Sequence, residues 1–272
     1  MHFLLSLGMV PKEISVPSAK KIYFASDFHL GIPSLAESHD RERKIVRWLD
    51  EVAEDAAYLF LLGDVFDFWF EYKRAVPRGF VRVLGKLAEL TDKGIPVAIF
   101  SGNHDIWMWD YLPKELNLSV IHHPISFRAG QHTFHVGHGD GLGPGDHVFK
   151  MVKKVFRNPL FQWLYSRVHP NTGIGVAQYF SNSSRHASAE KPQEFRGKEE
   201  WLIQYCEKLH TTHPHDFYLF GHRHIPMDIP IGESGRYINL GEWINHCTYA
   251  TYDGTALQFE AFEKAIPSLP TL

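Results

Sequence analysis

Residues 58–67 read YLFLLGDVFD, an uninterrupted apolar run that stops at Gly63 and is followed by two acidic residues. A short apolar run that ends at a glycine is typical of a strand buried on both faces. Similar runs occupy residues 21–26 and 96–100, and a helical spacing of apolar residues separates each run from the next. This alternation predicts an α/β fold in which parallel strands are connected by crossover helices.

The two connecting helices are indicated by apolar residues that share one face, Ile45, Leu49 and Val52 in the first and Phe80, Leu84 and Leu87 in the second. In sheets of this kind, ligand sites gather at the carboxyl ends of the strands. We therefore expect functional residues directly after each predicted strand.

The second half of the chain continues this pattern after an interruption. A strand predicted at 133–136 leads into a glycine-rich stretch at 137–146, and the strand and helix pattern returns only with a helix near 201–209. A strand at 217–220 and several short strands from residue 227 onward complete the prediction. No internal repeat accompanies the interruption, so we interpret the chain as a single domain, 1–272.

The interruption has its own composition. Residues 147–197 contain eight Lys or Arg against two Glu, a balance of +6, and the net charge of −3 for the whole chain leaves −9 for the rest. One helical face carries Val148, Val152, Val155 and Phe156, and four further apolar or aromatic residues lie between 161 and 165. We predict a basic, aromatic-rich helical lid inserted at 142–197.

Composition excludes several classes of protein. At 272 residues with 44% hydrophobic residues, the chain is long and apolar enough for a full core, unlike a disordered tail or a coiled coil. Because Lys and Arg total 28 against 31 Asp and Glu, the basic excess of a nucleic-acid binder is missing. Two cysteines are too few for a disulfide framework, which favours a reducing compartment.

Localisation follows from what the sequence lacks. The apolar run at residues 2–10 has neither a basic flank nor a small-residue cleavage site, and no stretch approaches the roughly 18 apolar residues of a membrane span. We expect a soluble cytoplasmic protein, and association with the surface of the inner membrane stays open. The sequence makes no prediction of oligomeric state.

Metal-type residues follow four of the predicted strands, and a polar pair follows a fifth. The blocks are Asp27-Phe28-His29, Gly63-Asp64-Val65-Phe66-Asp67, Gly102-Asn103-His104-Asp105, His138 in the glycine-rich stretch, and Gly221-His222-Arg223-His224. In an extended segment, the side chains of residues i and i+2 point to the same side of the chain. Each block alone is typical of an ordinary turn. Five such blocks in order, each at the end of a predicted strand, indicate a single site.

The ligand types indicate which metals fit. The candidate ligands Asp27, His29, Asp64, Asn103, His138, His222 and His224 combine imidazole nitrogens with carboxylate and amide oxygens and include no thiolate. This mixture suits Mn²⁺, Fe²⁺ or Zn²⁺ better than Mg²⁺ or Ca²⁺. Seven ligands are too many for one catalytic ion, so two ions bridged by one carboxylate are expected, with Asp64 as the bridge.

These blocks resemble those of the calcineurin-like metallophosphoesterases, which read Asp-x-His, Gly-Asp-x-x-Asp, Gly-Asn-His-Asp or Glu, His, and Gly-His-x-His. The resemblance covers residues 27–224 and implies an αββα sandwich with a dinuclear metal site. It implies two divalent ions, for which Mn²⁺ is expected before Fe²⁺ or Zn²⁺. It assigns Asp27, His29, Asp64 and His224 to one ion, and Asp64, Asn103, His138 and His222 to the other.

Within that family, residues 63–69, the His138 block and the insertion resemble the UDP-2,3-diacylglucosamine diphosphatase branch of lipid A biosynthesis. The resemblance implies hydrolysis of the substrate's diphosphate to UMP and 2,3-diacylglucosamine 1-phosphate at a membrane surface. It implies substrate contacts at Asn103, His104, Asp146, Ser184, Ser188, Lys191 and His222. Two positions depart from the branch: Ser188 stands where Asn is usual, and His104 where Arg is usual.

His104 follows a ligand, so its imidazole is predicted to act on the leaving oxygen as hydrogen-bond donor or general acid. The alternative is a ring that only bonds Asp67 or Asp105, two carboxylates interpreted as orienting groups. His104 also favours a second function, hydrolysis of another nucleotide or lipid phosphodiester. A non-catalytic scaffold is the third alternative, although no ligand is missing.

The lid and four aromatic residues each allow two interpretations. Aromatic residues beside Lys and Arg in the lid fit a lipid-linked nucleotide sugar and docking on an anionic leaflet, but they also fit a helical hairpin that only covers the core. Four aromatic residues just after two of the ligand blocks either line a groove or belong to the core, and we expect at least two of them in the core: Trp69, Phe70, Trp107 and Trp109. The remaining histidines and Cys206 are expected to be ordinary surface or buried residues.

Overall fold

The computed structural model describes residues 10–145, 147–177, 179 and 194–272. Its strands are β1 (Glu13–Ile14), β2 (Lys21–Ala25), β3 (Ala56–Leu61), β4 (Val97–Phe100), β5 (Ser119–Ile121), β6 (Ile125–Ala129), β7 (His132–Val136), β8 (Phe217–Phe220), β9 (Pro226–Ile231), β10 (Gly235–Leu240), β11 (Thr248–Tyr252) and β12 (Leu257–Ala261). The helices are α1 (Leu35–Asp55), α2 (Val81–Asp92), α3 (Tyr111–Leu116), α4 (His147–Phe156), α5 (Pro159–Tyr165) and α6 (Trp201–Thr212), and residues 170–177 are also helical.

The predicted strands and helices are confirmed to within a few residues. The apolar face predicted for the first helix is fully buried at Ile45, Leu49 and Val52 in α1. One detail of the second helix is wrong, because Phe80 precedes α2 in the left-handed conformation, with φ of 60°. Cys206 is buried in α6, as expected.

The strands form two six-stranded sheets, ordered β1-β6-β7-β8-β10-β9 and β12-β11-β2-β3-β4-β5. The parallel pairing inferred from the alternation of strands and helices holds for β2, β3, β4 and β5. Each sheet also contains antiparallel pairs, β6 with β7 in one and β2 with β11 in the other. The site blocks are therefore divided between two sheets.

Burial on both faces of each sheet explains the layers. Alternate residues of β2 and β3 point inward, where Phe24 stacks on Phe60 at 5.3 Å and Phe60 stacks on Phe127 of the other sheet at 5.2 Å. The residues between them point outward against α1 and α2, and the outer face of the second sheet packs on α6. This αββα sandwich is the fold that the sequence predicts.

The described part of the insertion packs on aromatic residues of the core. Phe70 and Trp107 are buried and contact Phe156 and Tyr165 of α4 and α5, with Trp107 Nε1 donating to the carbonyl of Phe156 at 2.8 Å. Trp69 is buried in the main core instead. These side chains are therefore core and lid-anchoring residues. Among the described residues, no helix combines the length and the apolar character of a membrane span.

Candidate metal centre

The predicted ligands come from both sheets and meet at one edge of the sandwich. Asp27, Asp64 and Asn103 follow β2, β3 and β4 of one sheet, and His138 and His222 follow β7 and β8 of the other. The His222 backbone N–H donates to Asp27 Oδ2 at 3.1 Å across the gap between the sheets. Strand ends that are distant in the sequence thus form a single cluster.

One part of this cluster consists of Asp27, His29, Asp64 and His224, whose ligand atoms all lie within 4.8 Å of one another. His29 Nε2 and His224 Nε2 are 3.0 Å apart, and His224 Nε2 is 3.0 Å from Asp27 Oδ1. Two imidazole nitrogens and two carboxylates therefore converge on one point, as the ligands of a divalent cation do.

The second part of the cluster is centred on Asn103. Its Oδ1 lies 2.9 Å from His222 Nδ1 and 3.2 Å from His138 Nε2. His138 Nδ1 is 2.8 Å from the carbonyl oxygen of Leu62, which orients the ring with Nε2 toward the site. The structure thus brings together all seven predicted ligands.

Asp64 connects the two parts. Its Oδ1 accepts a hydrogen bond from the His104 backbone at 2.9 Å, whereas its Oδ2 is buried and has no hydrogen-bond partner. That oxygen lies 3.3 Å from His138 Nε2 and 3.8 Å from His29 Nε2. A buried anionic oxygen without a partner is costly unless a cation binds it. The residues present therefore fit a pair of ions that share Asp64.

The backbone of the site is strained. Five of the seven predicted ligands have positive φ angles between 46° and 69°, a conformation uncommon outside glycine, namely Asp27, His29, Asp64, His222 and His224. Each such residue costs about 1–3 kcal/mol, and residues of this kind concentrate at functional sites. The strain is consistent with a backbone held in place to aim these side chains inward.

Glycines in the blocks make room for the carboxylates of other blocks. A Cβ atom on Gly102 would overlap Asp64 Oδ1, and one on Gly221 would overlap Asp27 Oδ2. Each glycine therefore allows a strand end of one block to approach the ligand of another. This close approach explains why the blocks read Gly-Asn-His and Gly-His-x-His.

The carboxylates and imidazoles of the site shift one another's pKa values. Burial opposes ionisation of Asp27 and Asp64, but the imidazoles beside them hold the pKa of both carboxyl groups well below their usual range. Burial likewise opposes protonation of His138 and His29, yet the adjacent carboxylates raise the pKa of these imidazoles to about 10 and about 9. The ionised carboxylates are therefore paired with protonated imidazoles, and a divalent cation would take the place of those imidazole protons.

His104 stands at the margin of the cluster, with its side chain 20% exposed. His104 Nδ1 lies 3.1 Å from the Asp67 carbonyl oxygen and 3.4 Å from Asp67 Oδ1. The same Asp67 oxygen is 3.6 Å from His29 Nδ1. Asp67 thus orients both the candidate ligand His29 and the imidazole of His104.

Asp105 holds two of the blocks together. Its carboxylate accepts hydrogen bonds from the backbone N–H groups of Gly102 at 2.7 Å and Val65 at 2.9 Å, and from two neighbouring N–H groups at 3.3 Å. Burial and the charge of Asp64 raise the pKa of Asp105 to about 7. With its oxygens directed at the backbone, Asp105 orients the loops.

Arg41 is a residue that the motif analysis missed. It is buried on α1, and its guanidinium donates to the carbonyl oxygens of Phe28, His29 and Ile32. These bonds support the loop that carries the ligand His29. The sequence could have indicated Arg41 by its position, because a charged residue four positions before Ile45 falls on the apolar face of the helix.

Several predicted substrate contacts cannot be placed. Asp146, Ser184, Ser188 and Lys191 lie outside the described residues. Six of the remaining histidines within the described residues make side-chain hydrogen bonds, namely His122, His132, His135, His169, His210 and His213. Examples are His132 with Tyr252 at 2.8 Å and His210 with Tyr218 at 2.9 Å.

The sequence matches the family described as calcineurin-like phosphoesterase over residues 20–226, a span that contains all five blocks. It is similar to the UDP-2,3-diacylglucosamine hydrolase of Porphyromonas gingivalis, with 39% identity over 89% of this chain and 98% of that protein. The similarity to the UDP-2,3-diacylglucosamine hydrolase of Hahella chejuensis is 28% identity over 86% of this chain and 94% of that protein.

Proposed function

Because the chain belongs to the calcineurin-like phosphoesterase family, we propose that it hydrolyses the diphosphate of UDP-2,3-diacylglucosamine to UMP and 2,3-diacylglucosamine 1-phosphate. The observation that carries this proposal is a cavity beside the metal centre, here called the apolar cavity, which is lined mostly by apolar residues but also by Asp67, Arg78 and Asn171. This substrate carries two acyl chains close to its diphosphate. An enzyme that hydrolyses it therefore needs an apolar cavity within reach of its metal centre. The relative in Porphyromonas gingivalis, with a similar length and 39% identity, is named for the same substrate.

The cavity has a volume of about 650 Å³, within the range of small-molecule sites. Its wall contains Asp67, next to the metal centre, and apolar residues from the core, among them Leu30, Ile32 and Phe68. Ile174 of the insertion also lines it. The lid and the core thus both contribute apolar side chains to a space that begins at Asp67, and an acyl chain can contact them.

The metal centre accounts for the reaction at phosphorus. Asp27, His29, Asp64 and His224 would hold one ion, and Asp64, Asn103, His138 and His222 the other. The ligand mixture suits Mn²⁺, Fe²⁺ or Zn²⁺, and Mn²⁺ is proposed from the family resemblance. When bound, two such ions neutralise charge on the phosphoryl oxygens and activate a water nucleophile.

The residues of the chain supply orientation and a proton or hydrogen bond. Asp67 holds His104 through Nδ1, so Nε2 is the atom that can donate to the leaving oxygen. The carbonyl of Leu62 holds His138 in the same manner, with Nε2 facing the site. The catalytic role of His104 therefore depends on its imidazole being oriented before the substrate binds.

A second candidate function is hydrolysis of a different nucleotide or lipid phosphodiester. His104 favours it, since the diphosphatase branch usually carries Arg at this position and the wider family carries His. An alkyl phosphodiester releases a poor leaving group that needs a proton, which an imidazole can supply and a guanidinium cannot. Measuring hydrolysis of UDP-2,3-diacylglucosamine and of a simple phosphodiester distinguishes the two candidate functions.

The test of the proposed function uses the metal-loaded chain with UDP-2,3-diacylglucosamine and with bis(p-nitrophenyl) phosphate. We expect UMP from the first substrate. Filling the cavity with Ile174→Trp should lower kcat/KM for the lipid substrate by at least tenfold, because the bulky ring occupies the space of an acyl chain, and should leave hydrolysis of the small diester unchanged.

The matched control is Val176→Trp, which adds the same ring at an exposed position outside the cavity lining. It should leave both activities near the wild-type level. Turnover of the small diester without any UMP from the lipid substrate would refute the proposed function in favour of the second candidate.

The insertion also presents a surface suited to an anionic membrane. Leu160 and Trp163 of α5 are 65% and 53% exposed, and the guanidinium of Arg167 lies 5.0 Å from the centre of the Trp163 ring. Lys154 and Arg157 are exposed nearby on the chain. Apolar and basic side chains together fit a leaflet of anionic lipids, so we place the enzyme peripherally at the inner membrane.

Sedimentation with phosphatidylglycerol vesicles checks this surface. The wild-type chain should bind them more tightly than phosphatidylcholine vesicles, and the double variant Leu160→Gln, Trp163→Gln should bind at least tenfold more weakly, because each apolar side chain that leaves water contributes about 1.5–3 kcal/mol. Val81→Gln, at an exposed valine of α2, serves as the control. Equal binding by the double variant and the control would exclude α5 as the docking surface.

A further inference from the structure

A second cavity opens beside the metal centre on the side of His224. It has a volume of about 300 Å³, and its wall consists of His224, Ile225 and residues of the loop 242–246. It shares no lining residue with the apolar cavity at Asp67. A third cavity, near His222, has only about 90 Å³, below the size of a small-molecule site.

His29 stands between the two larger cavities. Its Nε2 lies 3.0 Å from His224 Nε2, at the smaller cavity, and its Nδ1 lies 3.6 Å from Asp67 Oδ1, at the apolar one. A substrate whose diphosphate binds at the metal centre can therefore extend one end into each cavity. The acyl chains suit the apolar cavity, so the nucleoside is left for the cavity at His224.

The loop that walls this cavity is rigid. The buried carboxylate of Glu242 accepts hydrogen bonds from the backbone N–H groups of Ile244, of Asn245 at 3.0 Å and of His246 at 3.3 Å. The backbone N–H of Trp243 donates to the carbonyl of Asp27 at 3.1 Å, which ties the loop to a metal ligand. A loop held in this way is already ordered when a ligand arrives.

Two side chains of the loop have the chemistry to recognise a pyrimidine base. Asn245 is exposed, and its side-chain amide makes no hydrogen bond to the described residues, so both its donor and its acceptor are available. The Watson–Crick edge of uracil presents an N–H between two carbonyl oxygens, which an amide can pair with through two hydrogen bonds. The imidazole of His246 offers a face on which a base can stack.

We propose that the loop 242–246 forms the subsite for the uracil base of the substrate, with Asn245 pairing to its edge and His246 against its face. This inference rests on the proposed function, since it assigns the nucleoside end of the same substrate. It makes Asn245 a specificity-determining residue that lies outside the five ligand blocks.

The test measures binding of UMP and of ribose 5-phosphate to the metal-loaded chain by calorimetry. Both probes carry the phosphate and the sugar, but only UMP carries the base. The wild-type chain should bind UMP about tenfold more tightly than ribose 5-phosphate. Asn245→Ala should weaken UMP binding by about tenfold, the equivalent of one or two net hydrogen bonds, and leave ribose 5-phosphate binding unchanged.

Gln258→Ala is the matched control, because Gln258 is an exposed amide residue of β12 that lines neither cavity. It should leave the binding of both probes unchanged. Equal affinity of the wild-type chain for the two probes, or unaltered UMP binding by Asn245→Ala, would overturn the subsite. These readouts need no turnover, so a failure to hydrolyse UDP-2,3-diacylglucosamine would be recognised separately as a failure of the proposed function.

Discussion

Replacing Asp64 with Asn is expected to lower phosphoesterase activity on every substrate by about 10³-fold or more, the equivalent of losing several kcal/mol of metal stabilisation of the transition state. Asp64 Oδ2 is the buried oxygen that faces both His138 and His29 without a hydrogen-bond partner. An amide at this position keeps the shape and can still accept from the His104 backbone, but it loses the charge that two cations share.

The measurement pairs activity with metal content determined by atomic emission after dialysis. Asp64→Asn should retain the wild-type circular dichroism spectrum and lose at least one of two bound ions. Asp92→Asn, at an exposed carboxylate on α2, is the control for loss of one negative charge. Full activity or an undiminished metal content in Asp64→Asn would contradict the assignment of a shared ligand.

Replacing His104 with Ala is expected to lower kcat by about 10²–10³-fold, the usual loss for a donor aimed at developing charge. His104 Nδ1 is directed at Asp67, which is an orienting group and not a predicted ligand, and the His104 ring packs edge-on against that of His29 at 5.0 Å. Metal content and KM should therefore stay near the wild-type values. An imidazole that served only to support Asp67 would instead change metal content when removed.

His104→Arg separates hydrogen bonding from proton transfer, because a guanidinium donates hydrogen bonds but does not release its proton. Diphosphate hydrolysis releases a phosphate oxygen that needs only a donor, so Arg should restore this activity to within about tenfold of the wild type. Hydrolysis of an alkyl phosphodiester should stay as low as in His104→Ala. Rescue of neither reaction would remove His104 from the leaving-oxygen role.

Local features of the chain were predictable because short-range geometry determines them. Apolar runs ending at glycine identify the strands, and the i, i+2 spacing in Asp27-x-His29 or His222-x-His224 directs two ligands to one side of the chain. The structure places all seven candidate ligands in one cluster. The bridging role of Asp64 stays a prediction, made because seven ligands exceed what one ion accepts.

Other features depend on contacts between distant residues and were not predictable in this way. The alternation of strands and helices suggested parallel strands, but it does not reveal that β7 and β8 lie in a second sheet. Arg41 carries no motif, and its role depends on three carbonyl groups that point toward α1. Asn245 becomes notable only when its loop lies beside His224.

The sequence by itself thus determined the identity, order and local direction of the candidate ligands, because backbone geometry over a few residues sets them. Only the tertiary structure decided the distances among them, such as the 3.1 Å hydrogen bond between His222 N–H and Asp27, residues that are 195 positions apart. It also decided where the two cavities open. Such distances depend on how two sheets pack through side chains like Phe60 and Phe127, and that packing is a property of the whole core.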